Sequence, residues 1–147
     1  MKADVTTQIS IVVPMHNESS NVAYFYERMT KVLENLGMTY EIICVNDGSK
    51  DNTWELIKRL SEEDPRVKSI DLTRNFGKEI ALTAGLDFSS GEVVIPIDAD
   101  LQDPPELIPK MIEKWREGYD VVYATRIKRE RETKLNLNFE SKTLLKT

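Results

Sequence analysis

Asp98 and Asp100 stand two residues apart, with the amide carbonyl of Gln102 two further on, in the run Asp-Ala-Asp-Leu-Gln-Asp-Pro-Pro-Glu106. The residues before them, Val93 to Ile97, are apolar and β-prone, so the carboxylates fall at the carboxyl end of a strand. Acidic oxygens in that place suit a hard divalent cation held against a diphosphate, because open α/β sheets gather ligands at those strand ends. A plainer reading makes Asp98 and Asp103 caps for the helix that follows. A calcium loop is excluded: Asp98, Asp100 and Gln102 match its first, third and fifth positions, but the required Gly is Asp103 and the required Glu is Pro109.

Three other strand ends bear polar residues. Pro14-Met15-His16-Asn17-Glu18 follows a first apolar run, Asn46 and Asp47 a second, and Thr125 and Arg126 a fifth. Together with the acidic loop they make four ends expected on one rim of a sheet. Asp47 could accept a hydrogen bond from a base or ribose, or act as a turn residue before Gly48. No G-x-G-x-x-G follows the first strand and no G-x-x-x-x-G-K-[ST] occurs, so phosphate must be met by metal and side chains, not by a glycine cradle. His16 is the only histidine and has no cysteine beside it, which leaves zinc unsupported and a polar loop position expected. Arg126, Lys128, Arg129, Arg131 and Lys134 form a basic cluster that could clamp a phosphate or lie on an anionic membrane; balanced by Glu130 and Glu132, it reads equally as a solvated charged helix.

Short apolar runs alternating with amphipathic stretches are the mark of an α/β fold with a mainly parallel sheet. Strands are expected at Ile9–Val13 (stopping at Pro14), Tyr40–Val45, Val67–Leu72, Val93–Ile97 and Asp120–Ala124. Helices are expected from Val22 to Leu36 with Gly37 ending it, from the Ser49–Thr53 cap to Asp64-Pro65, from Gly77 to Phe88, and from Pro105 to Arg116. Ser19-Ser20-Asn21 offers caps for the first of these, whose Val22, Phe25, Met29, Val32, Leu33 and Leu36 share one face. Trp54 and Trp115 lie on apolar helix faces and read as core.

The chain has 147 residues, room for one core, and 40% hydrophobic with 31% charged residues is ordinary for a globular protein. A net charge of −5 argues against general nucleic-acid binding. No stretch approaches the roughly 18–20 apolar residues of a membrane span, and Met1 to Gln8 lacks the apolar run of a secretory signal. The single cysteine, Cys44, excludes an internal disulfide, fits a reducing compartment, and reads as a buried strand residue.

The motifs Ile-Val-Val-Pro-Met-His-Asn-Glu18, Val-Asn-Asp-Gly-Ser49, Arg-Asn-Phe-Gly-Lys78, Ala-Leu-Thr-Ala-Gly-Leu86 and Asp-Ala-Asp-Leu-Gln-Asp-Pro-Pro-Glu106 resemble the family 2 glycosyltransferases, from about Ile9 to Arg126. The branch they are most similar to transfers sugars to polyprenyl phosphates, as dolichyl-phosphate mannose synthase and the undecaprenyl-phosphate glucosyltransferases do. The resemblance implies a GT-A fold, a three-layer sandwich with a Rossmann-like N-terminal half. It implies that Pro14, Asn17 and Glu18 line the nucleotide pocket and that Asp47 recognises the base. It implies that Asp98 and Asp100 hold Mg2+ or Mn2+ on the donor diphosphate with Gln102 as a further ligand, and that Arg126 grips the acceptor phosphate, making Asp100 and Arg126 the catalytic pair. Asn46 stands where the family usually has Asp.

The same resemblance implies an inverting, metal-dependent transfer from a nucleotide sugar, UDP-linked by preference over GDP-linked, to a polyprenyl phosphate. Such an acceptor is already an anion and needs no general base. Two alternatives stay open: a family 2 transferase acting on a saccharide hydroxyl in surface polysaccharide synthesis, and an inactive nucleotide-binding fragment. A nucleotidyltransferase would need a glycine-rich loop that is absent after Val13. Family members continue past the basic segment with a further basic motif, an amphipathic region and often transmembrane helices. The reading therefore expects a donor-binding catalytic domain over 1–134, an irregular tail over 135–147 that is truncated or non-native, and an incomplete acceptor site. The full-length protein is expected at the cytoplasmic face of the membrane.

Overall fold

The computed structural model of the chain describes residues 6–119, 121–125 and 138–142, the last two spans by backbone alone. These fall into two compact units, residues 1–105 and 106–147. The first unit contains strands β1 (Ile9–Met15), β2 (Tyr40–Asn46), β3 (Val67–Asp71) and β4 (Val93–Pro96), with helices α1 (Val22–Leu36), α2 (Thr53–Glu63) and α3 (Lys78–Phe88) between them. All pairings are parallel and the order is β3-β2-β1-β4.

That order places a topological switch beside β1. The chain steps outward from β1 to β2 to β3, then returns through α3 to pair β4 with the other side of β1, and the loops leaving β1 and β4 part to leave a crevice. Both central strands are buried throughout but for half-buried Pro14, as near-continuous apolar runs require when helices cover both faces. Val12, Ile43 and Val45 pack with Ala81 of α3 on one face. There α3 approaches so closely that a methyl group on Gly85 would come within 2.3 Å of Val12 Cγ1. The alternate residues Ile11, Val13, Ile42 and Cys44 face the opposite way by the pleat, the side left for Phe25, Met29 and Leu33 of α1 and Ile57 of α2.

Pro14 does not end β1. The Val12 carbonyl accepts from Ile97 on the β4 side, and the Met15 carbonyl from Asp47 on the β2 side. Residues two apart face the same neighbour, so Pro14 faces β4, whose ladder has already stopped at the Val12–Pro96 pair, and its missing N–H is not needed. The helices match the expected spans, but their capping differs. Asn21 and Asn52 occupy the N-cap positions of α1 and α2 without making side-chain cap bonds. Trp54 and Trp115 are half-buried and not core. Val32 and Leu36 are likewise only half-buried on the inner face of α1. Cys44 is buried, as expected, and burial pushes its thiol up to about 12.

A 3₁₀ turn at Pro105–Leu107 precedes α4 (Ile108–Arg116), where Leu107 holds the N-cap position and no side chain caps the helix. The expectation that the chain is irregular from residue 135 is overturned for residues 138–142. They form β6 (Asn138–Lys142), antiparallel to β5 (Val121–Thr125) from Val121–Lys142 to Thr125–Asn138. The fifth strand accordingly belongs to a two-stranded ribbon with β6. Among the described residues no helix is long and apolar enough to cross a membrane.

Candidate functional site

The crevice at the carboxyl edge of the four-stranded sheet is a cleft of about 560 Å³, a volume usual for small-molecule sites. It gathers Pro14 and Glu18 from the end of β1, Asp47 from the end of β2, and Asp98, Asp100 and Gln102 from the end of β4. Asn17, expected with them, is not in the lining: at φ 52° it turns the chain, and its Oδ1 accepts from the Lys50 amide at 2.8 Å. Arg126 and the basic cluster lie outside the described residues.

Loops that the sequence presents as separate turns are stapled to one another. The Asn17 amide donates to Ser49 Oγ, the Glu18 amide to Thr53 Oγ1 and the Ser19 amide to Asp51 Oδ2. Asp51 also accepts from the Thr53 amide and hydroxyl, and despite some desolvation these bonds bring its carboxyl down to about 2. Asn46, buried at 3% exposure, donates to Asp71 and accepts from the Ser49 amide. Side chains that would cap helices are thus spent tying β1, β2 and β3 ends together. Glu18 itself accepts from Asn21 Nδ2 at 2.7 Å, and Asn21 makes no side-chain cap bond to α1.

Asp47 has a structural duty that the sequence did not show. Its side chain is 3% exposed, and its two oxygens accept from the Phe76 amide at 2.7 Å and the Gly77 amide at 3.1 Å. It therefore clamps the loop after β3 beneath the cleft. Gly48 makes the approach possible: at φ 61° a methyl group there would lie 2.2 Å from the Asn75 nitrogen. The carboxylate keeps further lone pairs for a ligand, so the clamp and a base contact are compatible.

His16 Nδ1 lies 2.7 Å from the Asp47 carbonyl, which can only accept, so Nδ1 bears the proton. Nε2 is then an acceptor, and the amide nitrogens of Asn17 and Asn75 each stand 3.2 Å away. Both amides are oriented by their oxygens, which accept from the Lys50 and Gly77 amides respectively. The one imidazole is consequently a loop fastener with both nitrogens engaged, the polar loop role expected of it.

Lys78 is the residue that sequence reasoning passed over. Its ammonium lies 2.6 Å from Asp98 Oδ1, the side chains being 65% and 42% exposed. The signal was present in Arg-Asn-Phe-Gly-Lys78, the polar end of the third strand, but the stretch was read as a family motif and the start of a helix, with no role given to Lys78. Asp100 is exposed, and its Oδ2 accepts from Gln102 Nε2 at 2.8 Å. Leu101 between them adopts φ 55°, a left-handed conformation rare for a bulky side chain and of the kind that collects at ligand sites.

Asp98, Asp100 and the Gln102 carbonyl are hard oxygen donors on one loop, which fits Mg2+ or Mn2+. Among the described residues no group of three or more His, Cys, Asp or Glu is placed to hold a metal ion. Two carboxylates leave places for water and ligand oxygens, as Mg2+ prefers. The cleft lining has four carboxylates (Glu18, Asp47, Asp98, Asp100) against one ammonium, so a diphosphate entering it needs added positive charge.

The sequence model of Glycosyl transferase family 2 matches residues 10–143, reaching into the segment expected to fall outside the family. An uncharacterised glycosyltransferase of Synechocystis sp. is 56% identical over 129 residues, which are 88% of this chain and 41% of that protein. The bactoprenol glucosyl transferase of Shigella phage SfV is 49% identical over 128 residues, 87% of this chain and 42% of that one. The chain thus spans about two fifths of the length of the curated relatives it matches. Among solved structures, the mannosyltransferase PcManGT from Pyrobaculum calidifontis, in complex with GDP-Man and Mn2+, superimposes with a TM-score of 0.68 at 23% identity. That match covers 90% of this chain and 41% of the other and bears out the expected GT-A architecture.

Proposed function

Since this chain belongs to glycosyltransferase family 2, we propose that it binds the donor in a metal-dependent, inverting transfer of sugar from a nucleotide sugar to a polyprenyl phosphate. The observation that supports this most is the pairing of Asp98 and Asp100 at the switch-point edge, in a cleft whose own charge would repel a diphosphate. In this reading Asp98, Asp100 and Gln102 hold Mg2+ or Mn2+. When bound, the ion supplies a Lewis acid that neutralises the leaving nucleoside diphosphate.

The chain's own residues do the rest. Pro14 and Glu18 form the wall of the cleft against which the nucleoside lies, and Asn17 fixes the turn that presents them. Asp47 holds the loop bearing Asn75 and Lys78 and offers its remaining lone pairs to the base. Arg126 grips the acceptor phosphate. The only imidazole is engaged on both nitrogens, which suits an acceptor that arrives as an anion better than a hydroxyl needing deprotonation. The bactoprenol glucosyl transferase relative supports glucose and a polyprenyl acceptor. A UDP donor is favoured on the family resemblance, and the GDP-Man complex of PcManGT makes GDP its direct competitor. The transfer would take place at the cytoplasmic face of a membrane.

Membranes from cells expressing the gene for this chain should move radiolabelled glucose from UDP-glucose into a lipid-extractable fraction when given Mn2+ and polyprenyl phosphate. Label that stays with the nucleotide, with GDP-mannose tried in parallel, would refute the assignment.

A further inference from the structure

Among the described residues lining the cleft, Lys78 is the only lysine or arginine, and it already holds one of the two carboxylates assigned to the cation. An ammonium 2.6 Å from Asp98 Oδ1 competes for the same carboxylate charge that a divalent ion would use. Two cations on one carboxylate repel one another, so a divalent ion bound there weakens the hold of Lys78. The pair is also easily parted: at 65% and 42% side-chain exposure it is screened by water, and exposed pairs of this kind are weak. The backbone under Lys78 is fixed, because the Gly77 amide is clamped by Asp47, whereas the four-carbon stem leaves the ammonium free to swing.

We propose that Lys78 is a positioning residue that exchanges partners with the divalent cation: it holds Asp98 while no cation is bound, and turns onto the donor diphosphate once a cation takes that carboxylate. The inference rests on the donor-binding reading and adds an order of events to it. Lys78 keeps Asp98 aimed into the cleft in the empty protein, lowers the affinity for metal alone, and then supplies a second positive charge where the lining's acidic side chains, Glu18, Asp47, Asp98 and Asp100, are all carboxylates. Metal and donor diphosphate therefore bind cooperatively, each favouring the position of Lys78 that admits the other.

Calorimetric titration of the full chain tests this with Mn2+ alone and with UDP at saturating Mn2+, in the parent, Lys78→Met and Lys78→Arg. Lys78→Met should bind Mn2+ alone roughly two- to tenfold more tightly, because a competing cation is gone. It should bind UDP at saturating Mn2+ roughly tenfold or more weakly, because a charged partner of the diphosphate is lost. Lys78→Arg, whose guanidinium forks onto a carboxylate, should bind Mn2+ alone no more tightly than the parent and keep more of the UDP affinity than Lys78→Met. A role in folding alone would move both affinities of Lys78→Met downward, so unchanged or weaker Mn2+ binding in that variant overturns the exchange. A parent chain that binds neither Mn2+ nor UDP defeats the donor-binding reading and this inference together. A parent that binds both, with no opposite-signed shift in Lys78→Met, defeats this inference alone.

Discussion

Removing the Asp47 carboxylate separates its role as a clamp from a role confined to the ligand. In the folded chain it accepts from the Phe76 amide at 2.7 Å and the Gly77 amide at 3.1 Å while 3% exposed. Asp47→Ala leaves the Phe76 N–H without that acceptor, whereas the Gly77 N–H retains Asn75 Oδ1 at 3.0 Å. A buried amide stripped of its partner costs about 1–3 kcal/mol, and hydrogen bonds to a charged group lie at the upper end. The expected loss is therefore about 2–4 kcal/mol, most of it at Phe76. Against a domain stability of about 5–15 kcal/mol the variant still folds. Urea unfolding should show a lowered midpoint at unchanged slope, and hydrogen exchange should quicken at Phe76 and Gly77 more than in α3. UDP affinity should fall too, since the loop bearing Lys78 loses its anchor. If Asp47→Ala weakens UDP binding while stability stays within about 0.5 kcal/mol of the parent, the clamp argument is refuted and the residue acts on the ligand alone.

Gly48→Ala attacks the same junction from the other side: a left-handed backbone at φ 61° and a methyl group 2.2 Å from the Asn75 nitrogen should cost about 2 kcal/mol or more by urea unfolding, and a neutral result would show that the 74–77 loop can retreat. Far from the cleft, Asp64 is 8% exposed on its side chain; the Arg66 guanidinium, and after it the Tyr26 hydroxyl, lower its carboxyl to about 2 despite some desolvation. A folded value below the unfolded 3.8 means that this stabilisation is fully present above about pH 4 and is lost as pH falls toward 2. Asp64→Asn should thus remove about 2 kcal/mol at neutral pH and flatten the acid limb of the stability profile; an acid limb of unchanged steepness would assign it to other carboxylates, Asp51 among them.

Helix and strand positions were readable because hydrophobic period survives whatever the loops do. Val22 to Leu36 ended at Gly37 as its pattern required, and the βαβ alternation gave the parallel sheet. The features hidden from the sequence are choices settled by tertiary contact. Asn21 and Asn52 are good caps by type, yet neither makes a side-chain cap bond: Asn21 donates to Glu18, and Asp51 accepts from the Thr53 amide that opens α2. Pro14 looked like a strand end and is not one, since only topology reveals which neighbour a strand residue faces. Phe139 to Lys142 carries too little apolar alternation to announce β6, whose pairing with β5 supplies the missing order. In the cleft, Asp98, Asp100 and Gln102 were legible from type and spacing. Lys78 was not, because an ion pair across twenty residues leaves no periodic trace.

The central claim, that the acidic loop of β4 grips a cation on a donor diphosphate, is tested most directly by calorimetry of the full chain with UDP-glucose, with and without Mn2+, in the parent and in Asp100→Asn. Asp100 is exposed and its hydrogen bonds to Gln102 stay within its own loop, so the substitution should leave the unfolding midpoint unchanged. The account predicts binding by the parent only when Mn2+ is present, and a loss of at least roughly tenfold, about 1.4 kcal/mol, in Asp100→Asn. Binding that is indifferent both to Mn2+ and to the loss of the Asp100 charge would contradict it.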